Sequence, residues 1–186
     1  MQLEFSALRH GDIMLHRITV ANYDEVASAW SGFPDSAYMR SELAESYRPA
    51  WDDEGRQTRY GFTVTLNGVL AGGSLLGVGS WEDERGHTGA DTFEHMRGQG
   101  AAPGSKPHLF YLAFALLGLN RIETGCVVSN TASKRSIEKT PGFQLEGVLR
   151  QHGRDANGVL EDEYRYAILR EDWERLYDAS LVETMR

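Results

Sequence analysis

The sequence predicts an α/β (α+β) layer with helices packed on a mostly antiparallel sheet. Three observations carry this. Two apolar runs, residues 60–66 and 69–80, flank Asn67-Gly68, a dipeptide that supplies the positive φ a tight hairpin needs at both central positions. A glycine-rich segment, residues 97–104, joins a strand to a helix. The periodic segments follow the order strand, two helices, three strands, helix, strand, helix, two strands.

Taken along the chain, residues 13–18 alternate in part and read as a strand. Residues 22–30 read as a helix with Val26, Ala29 and Trp30 on one face. Residues 36–47 read as a second helix, with Asp35 as its N-cap. Residues 48–59 are polar and read as a loop. In the second hairpin arm, Gly72, Gly73 and Gly77 predict bulges or a close neighbour. Residues 81–86 form a polar connection, and residues 87–96 a further strand. The helix after the glycine-rich segment spans 105–117. Leu109, Leu112, Ala113 and Leu116 form its apolar face and Gly118 its C-cap. Residues 121–128 have β-branched character and read as a strand. Ser129 or Asn130 caps a helix that runs to Lys139 and is stopped by Pro141-Gly142. Residues 143–152 and 164–169 are strands around a turn at 155–158. No repeat or linker interrupts the chain, so residues 1–186 are read as one domain.

The bulk numbers agree. A chain of 186 residues, 41% apolar and 25% charged, can bury a core without disulfides or metal. Its single cysteine, Cys126, excludes an intramolecular disulfide and fits a reducing compartment. No basic-then-apolar leader opens the sequence, and no apolar run reaches the roughly 18 residues that span a bilayer. The expectation is a cytoplasmic protein. Nineteen Lys and Arg against 27 Asp and Glu give a net charge of −8. That disfavours nucleic acid and anionic membranes and favours cationic partners. Two basic islands interrupt the acidity: residues 95–110 hold Arg97 and Lys106 and no acid, and residues 130–139 hold Lys134, Arg135 and Lys139 against Glu138. Islands of this kind suit a compact anion.

The segment Arg97-Gly98-Gln99-Gly100-Ala101-Ala102 sits between strand and helix. Glycines let the backbone turn tightly and aim several N–H groups at one point, and the helix start adds its own unpaired N–H groups and positive dipole end. Together they make a cradle for a pyrophosphate. A dinucleotide fingerprint starting at Gly98 fails, because Pro103 holds the third glycine position. A Walker loop fails on the order Gly104-Ser105-Lys106. The pattern R/Q-x-x-G-x-A/G is satisfied by Arg97, Gly100 and Ala102.

That pattern resembles the acetyl-CoA pyrophosphate motif of the GNAT (Gcn5-related N-acetyltransferase) superfamily, and the sequence beyond it resembles the RimJ/RimL-like acetyltransferases. Asn130-Thr131-Ala132-Ser133 matches their N-x-x-S. Glu138-Lys139 with Gly142-Phe143 matches E-K-x-G-F with one extra residue. Glu146-Gly147-Val148-Leu149-Arg150 matches E-G-x-L-R, and Gly158, Asp162, Tyr166 and Glu171-Asp172-Trp173 match the closing motifs. The resemblance implies the GNAT fold, with helices on both faces of a mixed sheet splayed between the family's fourth and fifth strands, and acetyl-CoA as co-substrate in the wedge. It implies pantetheine bound along residues 92–96, through Phe93, Glu94, His95 and Met96, and reached by Asn130 from the other side. An N–H of residues 93–95 would face the oxyanion. Lys134 and Arg135 would face the coenzyme phosphates. No metal is implied, and the six histidines show no metal-ligand spacing.

For acid–base work, the alignment puts His87 at the usual base position, against the plainer reading of an exposed strand-start histidine. Ile137 stands at the position of the usual tyrosine acid. Ser133 aligns with the serine given that role in RimL-type relatives, against the plainer reading of a helix cap. Gly153 stands where such relatives carry a glutamate. Cys126, Trp81 and Trp173 read as packing residues, and Glu82, Asp83 and Glu84 as a solvated turn. The expected activity is acetylation of a primary amine, foremost a protein or peptide α-amine. A small polycation such as a polyamine or aminoglycoside, and a non-catalytic acetyl-CoA-binding module, are the alternatives. A homodimer is allowed.

Overall fold

A computed structural model describes residues 4–31, 45–155 and 157–186. Ten strands form one sheet in the order β10-β1-β2-β4-β5-β6-β7-β9-β8, with β3 paired to β4. The strands are β1 Ala7–His10, β2 Ile13–Arg17, β3 Ala50–Trp51, β4 Gln57–Leu66, β5 Val69–Ser80, β6 Arg85–Thr92, β7 Arg121–Val127, β8 Gln144–Arg154, β9 Leu160–Leu169 and β10 Glu183–Met185. Among the described residues every strand pairing is antiparallel except β6 with β7. That parallel pair covers only Arg85–His87 against Arg121–Glu123. Beyond His87 the two strands diverge, although β6 runs on to Thr92 and β7 to Val127. This is the splayed sheet that the resemblance implies.

The helices are α1 Tyr23–Ser31, α2 Ala101–Phe110, α3 Thr131–Glu138 and α4 Arg170–Leu176. They cover both faces, as adjacent residues of β5 show, because successive side chains of a strand point to opposite faces. Ser74 meets Ser105 of α2 at 2.9 Å. The space above Gly73 is filled by Trp30 of α1 and by Tyr47. The main core lies under α2, with Leu8, Leu15, Phe62, Leu76, Leu109, Phe110, Phe114 and Ile122 buried. On the other face Ile18, Tyr23, Trp30, Tyr47 and Phe93 form a second cluster. Burying each such side chain stabilises the fold by about 1.5–3 kcal/mol.

Several expectations hold. The Asn67-Gly68 turn joins β4 to β5 with φ of 52° and 78°. Gly118 ends the helical run at φ 75°. Asn130 caps α3, its side-chain oxygen accepting from the Ser133 N–H at 3.0 Å. The glycines of β5 mark close neighbours: a Cβ on Gly72 would meet the Asp91 carbonyl oxygen, and one on Gly77 the His87 ring.

Others need correction. The α2 helix begins at Ala101, four residues earlier than expected, because Pro103 falls in the first turn, where a missing N–H costs nothing. Pro107 does break the regular ladder, and the helix continues as a π segment over Tyr111–Leu116. In α1, Val26, Ala27 and Trp30 pack inward while Ala29 is exposed. The expected loop 48–59 contains β3 and the start of β4. The strand expected over 87–96 starts at Arg85 and stops at Thr92, and Glu94–Met96 form a 3₁₀ turn. Of the helix expected over 36–47, only Glu45 to Tyr47 are described, and they are helical. Its earlier part and Asp35 lie outside the described residues.

Candidate active site

The gap between β6 and β7 is built by what closes its root. The Thr124 hydroxyl of β7 donates to the Thr88 carbonyl oxygen of β6 at 3.0 Å, one step beyond the last paired residues. From there the strands part, and the 3₁₀ turn and the glycine loop lead to the N-terminus of α2. Gly98 and Gly100 have φ of 78° and 91°, and a Cβ on either would meet nothing within 4 Å. The loop therefore opens onto free space. Gly100 stands at the N-cap of α2. Ala101 and Ala102 head the helix, where N–H groups lack intrahelical partners, and Pro103 has none to satisfy. Arg97 is exposed beside them. The residues present thus fit a pyrophosphate: donors, positive dipole end, a cation and room. The Gln99 N–H points back to the Met96 carbonyl at 3.4 Å and helps shape the loop.

The expected pantetheine edge differs in detail. Thr92 is the last residue of β6 and pairs with Gly72. Phe93 is buried and its N–H donates to the Ala71 carbonyl at 2.9 Å, so that N–H is committed to the fold rather than to an oxyanion. The Met96 N–H closes the 3₁₀ turn on the Phe93 carbonyl. His95 stacks on Phe93 with ring centroids 6.2 Å apart. Glu94 opens the turn.

His87 holds the last paired position of β6 before the gap, with its ring over Gly77. It reaches solvent. Partial desolvation, then Arg59 and Arg165, hold its pKa below the ordinary histidine value, against a smaller pull from Glu123. Ser133 lies on the first turn of α3, half-buried, with its hydroxyl beside the Cys126 thiol. Cys126 is buried, and burial pushes its pKa up despite that contact. Lys134 is ion-paired with Glu138 at 2.7 Å and lies over the Tyr164 ring. Arg135 is exposed on the same helix.

Of the basic island over residues 95–110, Arg97 lies at the surface but Lys106 does not. Lys106 is buried, and its ammonium donates to the Thr88 hydroxyl at 3.1 Å, at the root of the gap. Burial lowers its pKa to about 7, with Asp91 pulling the other way. On the opposite face of β6, Asp91 accepts a hydrogen bond from the fully buried Tyr47 hydroxyl at 2.9 Å. Sequence reading missed this trio. A signal existed: Lys106 lies three residues before Leu109, on the buried stripe of its helix. Asp91 and Tyr47 meet only through the fold. A shallow groove of about 460 Å³, lined by residues including Arg9, Ile13, His16 and Thr65, lies on β1, β2 and β4. The strand β5 separates it from β6 and the gap.

Residues 2–144 match the acetyltransferase (GNAT) domain family, and the chain belongs to that family. It is 29% identical over 170 residues to the uncharacterized N-acetyltransferase p20 of Bacillus licheniformis, covering 87% of this chain and 94% of that one. It is 30% identical over 157 residues to YdaF of Bacillus subtilis (strain 168), a candidate ribosomal N-acetyltransferase, covering 78% and 79%. Its fold resembles a spermidine N-acetyltransferase SpeG chimera from Vibrio cholerae and hSSAT, with TM-score 0.68 and 20% identity over 88% of this chain and 99% of the other. The protein is a GNAT-type N-acetyltransferase.

The cradle gives a direct test. Acetyl-CoA should raise the melting temperature of the protein by mass action. Gly100→Asp places a carboxylate in the open space beside the loop, where it repels a pyrophosphate. The shift should vanish in this variant while its far-UV circular dichroism stays native. A shift equal to that of the wild type would show that the phosphates lie elsewhere.

Proposed function

We propose that this enzyme transfers acetyl from acetyl-CoA to the α-amine of a protein or peptide. The observation that carries the reading is the state of His87. It is the ionisable group at the usual base position, and its surroundings hold it below the ordinary histidine pKa. A base that weak suits an acceptor that is already partly neutral. An α-amine, with pKa near 7.7–8.0, meets that condition, and a lysine near 10.4 does not. The name of the YdaF relative supports the same reading.

Acetyl-CoA supplies a thioester carbonyl. The chain would hold the phosphates at Gly98, Gly100, Ala101 and Ala102, with Arg97 alongside, and align the thioester along the open edge of β6. Asn130 and Ser133, at the start of α3 after β7, would reach the coenzyme from that side, with the Ser133 hydroxyl returning a proton to the departing sulfur. Positioning two reactants in one cleft accounts for much of the rate in such a transfer.

A second reading is acetylation of a small polycation such as a polyamine or aminoglycoside. The net charge of −8 favours it. Turnover with three acceptors separates the readings: a peptide with a free N-terminus, the same peptide N-blocked but containing lysine, and spermidine. The α-amine reading expects mass spectrometry to find one acetyl group, on the free N-terminus. Faster turnover of spermidine would replace it with the second reading. Acetyl-CoA binding without turnover of any acceptor would leave a binding module.

A further inference from the structure

The polar network under the gap exceeds what coenzyme binding requires. Thr88 and Asp91 lie on opposite faces of β6 and both fall beyond its last pairing with β7. Lys106 approaches Thr88 from the α2 face, and Asp91 stands on the α1 face against Tyr47. Tyr47 is itself fixed: Trp30 packs edge-on at 5.0 Å, and Gly73 leaves the room its ring occupies. The Tyr47 hydroxyl donates to the Oδ2 of Asp91 and also interacts with the Asp91 backbone, and Oδ1 takes no hydrogen bond among the described residues. Asp91 is only partly covered. Burial raises its pKa, while the Tyr47 bond and the Lys106 charge lower it. No other charged group among the described residues is coupled to it; His87, on the same face of β6, answers instead to Arg59, Arg165 and Glu123.

We propose that Asp91, and not His87, holds the acceptor ammonium in the gap and removes its proton, with Lys106 behind the strand as the positioning residue that keeps the carboxylate ionised. This rests on the transferase reading above. The proton passes from the ammonium to the Oδ1 of Asp91. The neutral nitrogen forms a bond to the thioester carbonyl carbon, and the C–S bond breaks as the carbonyl reforms. The second nitrogen proton ends on the sulfur, giving an amide and a free thiol. A carboxylate is a modest base, so it serves an α-ammonium better than a lysine side chain, whose proton is held about 2.5 pH units more tightly.

The test uses Asp91→Asn and Lys106→Met. Asparagine keeps the shape and still accepts from Tyr47, so a purely structural role predicts little change. The proposal expects kcat/KM for the amine to fall about 10²-fold or more in Asp91→Asn, with the acetyl-CoA melting shift unchanged. In Lys106→Met the acid limb of the pH–rate profile should move to higher pH, because a neighbouring positive charge is gone. A readout independent of turnover is the ¹³C carboxyl resonance missing from Asp91→Asn. It should titrate above the ordinary aspartate value in the wild type and higher still in Lys106→Met. Full activity of Asp91→Asn with a normal acetyl-CoA shift would overturn this proposal alone, as would an unmoved resonance in Lys106→Met. Absence of any acetyl-CoA shift in the wild type would overturn the transferase reading and this proposal with it.

Discussion

Lys106→Met is expected to raise the melting temperature by roughly 6–12 °C at pH 7, taking about 3 kcal/mol and 2–4 °C per kcal/mol for a chain this size. The reason is the cost of a buried ammonium. Lys106 is 5% exposed, and its hydrogen-bond partner among the described residues is a neutral hydroxyl. Burial takes its pKa from 10.5 to about 7. At about 1.4 kcal/mol per pH unit that gap is worth at most about 5 kcal/mol, and local relaxation reduces it. Methionine fills similar volume without a charge. Thr88 is not orphaned by the change, since its hydroxyl donates to the Leu75 carbonyl at 2.8 Å.

The pH dependence fixes the cause. Below about pH 7 Lys106 is charged in both states, and the wild type carries the full penalty. Between about 7 and 10.5 the folded state has lost the proton that the unfolded chain still binds, so wild-type stability rises with pH relative to the variant. Above 10.5 the advantage of Lys106→Met should be gone. His108 does not confuse this window. Burial holds it down to about 4, so its effect falls between there and the ordinary value of 6.5, where stability drops as the pH falls. Denaturant midpoints of both proteins at pH 7 and pH 10 would suffice. Equal midpoints at pH 7 would mean that water reaches the ammonium. A variant that is more stable and less active would match the role given to Lys106 beside Asp91, since functional sites often retain costly groups.

How much of this was legible follows from the range of each interaction. The Asn67-Gly68 hairpin and the glycine loop before α2 are set by the φ preferences of neighbouring residues, so both could be read directly, although the first helical residue could not. The pairing of β1 with β10 could not, because it joins residues 179 positions apart, as in the bond from the Ser6 N–H to the Met185 carbonyl. The strand β6, Arg-Gly-His-Thr-Gly-Ala-Asp-Thr, has no large apolar residue and is held extended by β5. Its pattern therefore gives no sharp end at Thr92. The cradle was legible because glycine, alanine and arginine act there through local backbone geometry. The Tyr47–Asp91 contact and the inward turn of Lys106 depend on three separate elements meeting at one strand, which no local pattern encodes.

Gly72→Ala should be among the most damaging single-methyl additions available, costing about 3–5 kcal/mol. Two effects act together. The residue has φ of 151°, which an L-residue rarely adopts, and such strain costs about 1–3 kcal/mol. The added Cβ would also stand 2.0 Å from the Asp91 carbonyl oxygen and 2.9 Å from its carbon. Those atoms belong to the backbone of β6 and cannot rotate away, so overpacking adds about 1–3 kcal/mol more. Two control variants separate the effects. Gly68→Ala has positive φ but open space, and should show the strain alone. Gly89→Ala has ordinary φ, and its new methyl would meet Leu75 at 3.6 Å, so it should be nearly neutral. The order of midpoints should therefore be Gly89→Ala, Gly68→Ala, then Gly72→Ala far below. Any relief in the last variant must come from moving the end of β6 away from β5, which displaces Asp91. Its residual folded fraction should then turn over the amine more slowly than its stability alone would explain. A Gly72→Ala protein with wild-type midpoint and wild-type kcat/KM would show that the two strands do not approach as closely as this packing requires.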